Sequence, residues 1–273
     1  MKPLTVGNVV SAGLRIYRAH FLDYFRIAFI GYLWVLVPIY GWAKFAAMNG
    51  ILARLAFGEV AEKPETEKEA RRYIKRRMWQ FLIASILVGF IVFFGSLFCY
   101  LIFIAAAIIV GSIIGVGEDN FGVVSLALLA LLGIAAVILL IVAITWLISR
   151  CLIVELPLAV EDGVLAGAAL GRSWNLTKGS VIRLQLIFLV AFLISLPITI
   201  VIQIASLILQ FAMGSLANSG NDALSLLFVL AILIISFAGG ALLIPFWQAI
   251  KAVIYYDLRV RKEGLGMELE ENN

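Results

Sequence analysis

Charged residues are absent from four long stretches of this chain, each of 28 to 39 consecutive positions. These runs are Trp79–Gly117, Phe121–Ser149, Leu184–Asn221 and Ala223–Ile250. A helix needs only about 20 apolar residues to cross the hydrocarbon core of a bilayer. Soluble domains almost never contain such a run. The pattern therefore predicts an all-α, polytopic helical membrane protein.

Lys and Arg are distributed unevenly between the connections of these runs. Gly58–Met78 carries seven of them and Arg150–Arg183 carries four, whereas Gly117–Asn120 and Gly214–Asp222 carry none. Basic loops are retained on the cytoplasmic side of a membrane. We therefore predict that the two short loops face outside and that both termini and the basic segments are cytoplasmic.

The segment Phe21–Phe57 must then begin and end inside, because basic residues flank it on both sides. We predict two short crossings, Leu22–Ile39 and Gly41–Phe57, which give about six transmembrane helices in all. The second crossing is weak because it contains Lys44 and Arg54. A re-entrant hairpin, which turns back inside the bilayer, is the alternative.

Two further segments have an amphipathic helical pattern. Val6–Phe21 and Asp162–Thr177 each place apolar residues on one face and polar residues largely on the other. This periodicity is typical of helices that lie at a membrane interface. We predict two interfacial amphipathic helices, the second capped at its N-terminus by Asp162.

The two amphipathic segments also match each other at an offset of about 157 residues, which aligns Arg15 with Arg172. A membrane helix follows each segment. The match predicts a duplicated unit, with pseudo-repeats at 5–149 and 161–258 in a single membrane domain, 1–273. Chance similarity between two amphipathic helices is the alternative.

Composition agrees with a membrane protein: 63% of the residues are hydrophobic and 14% are charged, against about 25% charged in soluble proteins. The net charge of +4 lies mainly beside the apolar runs, which indicates topology signals and lipid contacts rather than nucleic acid. Two cysteines and one histidine form no disulfide framework or metal-binding pattern. We expect no cofactor.

No catalytic constellation is visible in the sequence. Nucleophile-elbow, zinc-protease, P-loop and dinucleotide-binding motifs are all missing. Ionisable residues are almost absent from the apolar runs, whereas transporters commonly place such residues at mid-membrane depth. We therefore expect a protein that is not an enzyme, and a carrier is the weaker alternative.

The most distinctive polar segment is Arg172–Gly179, which ends the second amphipathic helix. It predicts a site for an anionic lipid headgroup, in which basic side chains supply charge and a hydroxyl group supplies a hydrogen bond. The candidate contacts are Arg172, Thr177, Lys178 and Arg183, with Arg15 and Arg26 as their counterparts in the first half. A capped helix end with charges that only set topology is the alternative.

Two of these segments carry a family resemblance. Ala169–Gly179 and Ala252–Gly264, together with the six-span pattern, resemble the membrane domain attached to some glycerophosphodiester phosphodiesterases, and most of all its stand-alone cyanobacterial relatives. The resemblance implies a helical membrane domain. This sequence lacks the soluble phosphodiesterase barrel with its acidic and histidine metal ligands, so no catalytic residue is carried over.

These observations favour a non-enzymatic integral membrane protein that organises lipid or assists membrane-complex assembly as a scaffold. The expected partners are anionic membrane lipids and other integral membrane proteins, in a bacterial inner (plasma) or thylakoid membrane. A carrier or channel for a neutral or amphiphilic solute is the alternative.

Overall fold

The computed structural model describes residues 5–114, 123–216 and 222–264, and within these ranges it contains helices and no strand. The helices are α1 (Val6–Ala19), α2 (Phe21–Trp34), α3 (Tyr40–Val60), α4 (Glu67–Lys75), α5 (Met78–Ile114), α6 (Val123–Cys151), α7 (Glu155–Val160), α8 (Ala166–Thr177), α9 (Val181–Leu216) and α10 (Asp222–Glu263).

Four of the helices are long and apolar enough to cross a membrane. The candidate spans are Met78–Ser112, Ala130–Val160, Val181–Gly214 and Leu226–Glu263. This confirms the prediction of an all-helical protein with several membrane-type helices. Of the two predicted outer loops, Gly117–Asn120 lies outside the described residues, as does most of Gly214–Asp222.

The remaining helices pack with one end of each long helix into a dense region that we call the head. It consists of α1–α4, α7 and α8 and of the parts of α5, α6, α9 and α10 that contact them. Its core contains fully buried residues from α3, α7 and α10, among them Leu52, Leu156 and Tyr255. Burial of such large apolar side chains is the main favourable term in folding.

Helix α10 lies at the centre of the head, and α1, α2 and α3 pack around it. Gly13 of α1 lies so close to Ile250 that a Cβ atom at Gly13 would be 3.1 Å from the backbone of α10. The hydroxyl of Tyr17 donates a hydrogen bond to the carbonyl of Leu242 (3.1 Å). The apolar face of α1 is therefore covered by protein.

Helices α2 and α3 form an antiparallel hairpin whose tip lies against the middle of α10. The ring of Tyr32 is 5.5 Å from that of Phe237, and its hydroxyl group lies beside Gly240. Phe237 is at the midpoint of the charge-free run Ala223–Ile250. Neither α2 nor α3 is among the four candidate spans, so the predicted count of six spans is not confirmed.

The turn of this hairpin, 35–39, contains only apolar residues and proline, and Leu36 and Ile39 are exposed. Its backbone is nevertheless well hydrogen-bonded: Val37 donates to Trp34 (3.0 Å) and Gly41 donates to Val37 (3.1 Å). A Cβ atom at position 41 would lie only 1.8 Å from the Trp34 carbonyl oxygen, so the turn requires glycine there.

Lys44 of α3 lies close to the basic helix α4. Its ammonium group is 4.9 Å from the centre of the Trp34 ring. Lys44 also lines a small cavity, of about 180 Å³, together with Arg71 and Lys75. The first residue of α5, Met78, lines the same cavity.

Local sequence explains the start of α4 but not that of α8. Thr66 and Glu69 form a reciprocal capping box at the N-terminus of α4. Helix α8 begins at Ala166 after Leu165, whose side chain makes no capping hydrogen bond. The prediction that Asp162 caps this helix is wrong, because Gly163 takes a positive φ of 73° and the chain enters the helix three residues later.

The long helices form two hairpins, α5–α6 and α9–α10. Helix α1 packs against the second hairpin, and α8 packs against the first. The hairpins contact each other through α6 and α9, where the side-chain amide of Gln185 donates to the hydroxyl of Thr145 (3.2 Å). The most apolar stretches of α5 and α6 contain no buried residue.

Candidate functional site

The head contains an open polar cleft of about 740 Å³ between the α3–α4 connection, α4 and the α7–α8 connection. Five cationic and three acidic side chains line it, which leaves a surplus of positive charge. The cations are Arg54, Lys63, Arg72, Arg76 and Arg77, and the acids are Glu65, Glu69 and Asp162.

Arg54 holds one wall of the cleft in place. Its guanidinium group forms two parallel hydrogen bonds with the carboxylate of Glu65, both 2.7 Å, and a third with the carbonyl of Ala159 (2.7 Å). It also stacks on Tyr73, 3.9 Å from the ring centre. Bidentate arginine pairs are the strong, geometrically specific kind of ion pair, so Arg54 connects α3, α4 and α7.

Arg77 and Tyr73 form the floor of the cleft. Arg77 donates to the hydroxyl of Tyr73 (2.9 Å) and to three backbone carbonyls of the α7–α8 region, those of Leu158, Glu161 and Val164. The Tyr73 hydroxyl donates to the Asp162 carboxylate (2.9 Å). Burial raises the pKa of Tyr73, and the hydrogen bond to Asp162 raises it further, so the phenol stays a neutral donor.

Each acidic side chain of the cleft already has a partner. Glu65 accepts from Arg54, and Asp162 accepts from Tyr73. Glu69 accepts from the backbone N–H and the hydroxyl group of Thr66, and these hydrogen bonds lower its pKa. Only Glu65 is neutralised by a cation, and five cations against three carboxylates leave the cleft with a net charge of +2.

Lys63, Arg72 and Arg76 are exposed and form no ion pair within the described part of the chain. Arg72 and Arg76 are four residues apart, at the end of α4, and so face the same side. Like charges at this spacing repel each other by about 0.2–0.5 kcal/mol. An anion placed between them would remove this repulsion.

Arg172, the central residue of the predicted headgroup site, lies elsewhere in the head. It forms ion pairs with Glu161 (2.9 Å) and Glu263 (2.7 Å), and Glu161 also accepts from the hydroxyl of Tyr255. Partial burial would lower the pKa of Arg172, but the hydrogen bond to Glu161 and the charges of both carboxylates raise it. Its positive charge is therefore already balanced within the protein.

The other predicted contacts of the second half have separate positions. Thr177 is fully buried and donates to the carbonyl of Ser173 (2.8 Å), which argues against a contact with lipid. Arg183 forms an ion pair with Asp257 (2.6 Å). Lys178 is exposed at the C-terminus of α8. The structure does not bring these groups together as one cluster of unpaired cations.

In the first half, Arg15 is exposed on α1 and Arg26 is exposed on α2. Arg26 pairs with Glu67 of α4 (2.8 Å), which also pairs with Arg71. Burial raises the pKa of Glu67, but the hydrogen bonds from Arg71 and Arg26 outweigh it and leave the pKa below its ordinary value. The Glu67–Arg71 pair joins residues four apart on α4, a spacing at which helical side chains are neighbours.

The sequence pattern predicts that the basic segment Gly58–Met78 is cytoplasmic, but it does not single out the cleft. One sequence signal of the cleft is that Arg72 and Arg76 lie four residues apart on a helix and that neither has an acidic residue four positions away. The positions of Lys63 and Asp162 beside them depend on the tertiary fold.

Metal-dependent chemistry has no visible ligand set in the described ranges, since they contain no cluster of three His, Cys, Asp or Glu side chains. The cleft offers basic donors and a neutral tyrosine, a set suited to holding an anion. Comparison with protein-family models, curated proteins and solved structures finds no match. The resemblance to the phosphodiesterase membrane domain stays a prediction.

Proposed function

We propose that this protein is a non-enzymatic membrane scaffold that organises lipid and docks other integral membrane proteins. One observation carries the proposal: Gln203 and Gln210 lie seven residues apart on α9, within a candidate span, and both are exposed. Neither makes a hydrogen bond among the described residues.

A glutamine amide in the hydrocarbon core needs a partner. The hydrocarbon core contains no water to satisfy it, and an unpaired polar group there costs several kcal/mol. Residues seven apart share one helix face. Glutamine side chains commonly form hydrogen bonds between transmembrane helices. A transmembrane helix of a partner protein would satisfy both amides.

The α5–α6 hairpin supports the same role. Leu139 and Ile141 are about 200° apart around α6, at 100° per residue, yet their exposed fractions are 70% and 56%. The helix therefore presents apolar surface on opposite sides. A carrier needs a polar path enclosed between helices, whereas the glutamines of α9 face outwards.

Site-specific photocrosslinking in native membranes tests the scaffold. A photoreactive residue at Leu207, which lies between the two glutamines on the same face, should give a discrete protein adduct. Val201 is similarly exposed but points about 120° away, and it serves as the matched control. The double variant Gln203→Leu, Gln210→Leu should lose the adduct. Lipid adducts alone at Leu207, or solute flux through liposomes that contain only this protein, would overturn the docking role.

We infer that the α2–α3 hairpin is re-entrant and that the chain has four full spans instead of six. The support is the apolar turn, its contact with the midpoint of the last charge-free run, and the cavity that Lys44 shares with Arg71 and Lys75. A second full crossing would separate Lys44 from α4 by the thickness of the bilayer. Irregular backbone at membrane depth is tolerated where protein covers it.

Cysteine accessibility tests this topology in a background without Cys99 and Cys151. A cysteine at Leu36 should resist an impermeant reagent from either side, and a cysteine at Lys68 should react only from the cytoplasm. Reaction of Leu36→Cys from outside would restore the six-span topology. Reaction of Lys68→Cys from outside would reverse the orientation in which both termini are cytoplasmic.

The proposal also includes the duplication. Helix α1 packs on the α9–α10 hairpin and α8 packs on the α5–α6 hairpin, so each amphipathic helix packs on a hairpin of the other half. The proposal also includes the absence of hydrolase activity. Metal-dependent release of glycerol phosphate by the purified protein, lowered by a point mutation in this chain, would contradict it.

A further inference from the structure

We propose that the cleft binds a phosphate-bearing anion through Lys63, Arg72 and Arg76. The three side chains line one cavity and have no acidic partner among the described residues. The phosphate belongs either to a lipid headgroup or to a soluble phosphate ester. Only the choice of a lipid headgroup rests on the proposed lipid-organising function.

Ordinary roles for these cations do not account for all three. Arg72 and Arg76 lie at the C-terminal end of α4, where the helix dipole favours positive charge. Lys63 precedes the N-terminal end of the same helix, where the dipole disfavours it. The fold thus brings a cation from each end of α4 to one cavity, which helix stabilisation alone does not explain.

The frame of the cleft is built to keep this charge available. Glu65 pairs with Arg54, Asp162 accepts from Tyr73 and Glu69 accepts from Thr66, and none of these carboxylates forms an ion pair with the three cations. Arg77 is engaged with backbone carbonyls and anchors the floor. The result is a hydrogen-bonded frame beside three exposed basic side chains, which can contact an anion.

The position of the cleft favours a headgroup. Arg76 and Arg77 come just before Met78, the first residue of a candidate membrane span. The cations therefore stand where that span meets the membrane surface, at the level of lipid phosphates. An anionic lipid would place its phosphate in the cleft and its acyl chains beside α5.

The test compares two triple variants of the full-length protein. The cleft variant is Lys63→Gln, Arg72→Gln, Arg76→Gln. The control variant, Arg18→Gln, Lys68→Gln, Lys75→Gln, removes the same charge from exposed residues that do not line the cleft. All six residues lack an ion pair among the described residues, so neither variant breaks a structural contact.

Native mass spectrometry with added phosphatidylglycerol measures the lipid arm, and titration with glycerol phosphate in detergent measures the soluble arm. Each cation near an anionic surface contributes a factor of about five in affinity, so the cleft variant should bind on the order of a hundredfold more weakly. The control variant should retain binding of the same ligand. If the cleft variant binds both ligands more weakly, the cleft recognises the phosphate group whatever its source. If it binds only phosphatidylglycerol more weakly, the ligand is a lipid headgroup.

Equal binding by the wild type and the cleft variant in both arms would overturn the site, as would equal weakening in the two variants. Normal thermal unfolding of the cleft variant guards against a folding defect. A failure here leaves the Leu207 crosslink unaffected, so the site and the scaffold function are tested separately.

Discussion

Replacing Arg54 by leucine should loosen the head more than any exposed charge change. Arg54 is the residue through which α3, the α3–α4 connection and α7 are joined, and its side chain is only 17% exposed. The substitution removes both hydrogen bonds to Glu65, the bond to the Ala159 carbonyl, and the stacking on Tyr73.

The magnitude follows from these contacts. A hydrogen bond to a charged group contributes about 1.5–3 kcal/mol, but Glu65 is 34% exposed, so water recovers part of the loss. The buried carbonyl of Ala159 loses its donor, at about 1 kcal/mol, and the stacking contributes about 0.5–1 kcal/mol. We expect a total of about 3 kcal/mol.

Thiol labelling of Cys151 measures this opening in a Cys99→Ala background. Cys151 is buried in the head, at the end of α6 that leads into α7. A change of about 3 kcal/mol should raise the labelling rate on the order of a hundredfold. Arg54→Lys should have an intermediate effect because it keeps the charge but loses the bidentate geometry and the stacking.

A double-mutant cycle with Glu65→Gln separates the ion pair from the other contacts. The two substitutions should be clearly non-additive, since each removes the same pair. A labelling rate for Arg54→Leu within a factor of two of the wild type would refute the claim that Arg54 braces the head. Additive effects would refute the coupling to Glu65.

Three further outcomes are expected from the same structure. Gly13→Ala should lower thermal stability by about 1–3 kcal/mol because the new methyl group meets the backbone of α10. The control is Gly7→Ala, whose methyl group would meet no atom within 4 Å and which should be neutral or slightly stabilising. Glu155→Gln should destabilise by about 1–3 kcal/mol by leaving Lys251 unpaired in a partly buried site, and adding Lys251→Met should recover most of the loss in thermal unfolding. The pKa of Glu67 is lowered from 4.5 in the folded protein. Its contribution to stability should therefore be present above pH 4.5 and be lost as the pH falls through the folded-state pKa. A Glu67→Gln variant should show a flatter profile of stability against pH over that acidic range.

The sequence predicted the long helices correctly because their cause is local. A charge-free run longer than a bilayer crossing has one stable backbone solution in lipid, the helix, which satisfies every N–H and C=O group within the segment. The same reasoning found α1 as a helix with one apolar face, formed by Val9, Val10, Gly13 and Tyr17.

The partners of these surfaces were not accessible to local reasoning. Apolar periodicity shows that α1 has a face to bury, but it does not say whether lipid or α10 covers that face. Likewise, the count of basic residues marks Arg172 as a candidate headgroup contact, but it does not show that Glu161 and Glu263 neutralise it. Glu263 lies 91 residues away along the chain.

The sequence by itself therefore determined the class of protein and the helical segments, because hydrophobicity and helical periodicity act within about twenty residues. Only the tertiary structure decided which cations stay free, because electrostatic neutralisation depends on distance in space. Arg172, Arg183 and Arg26 meet carboxylates from other helices. Lys63, Arg72 and Arg76 do not, and they line one cleft because the fold places the α3–α4 connection and the end of α4 around the same cavity.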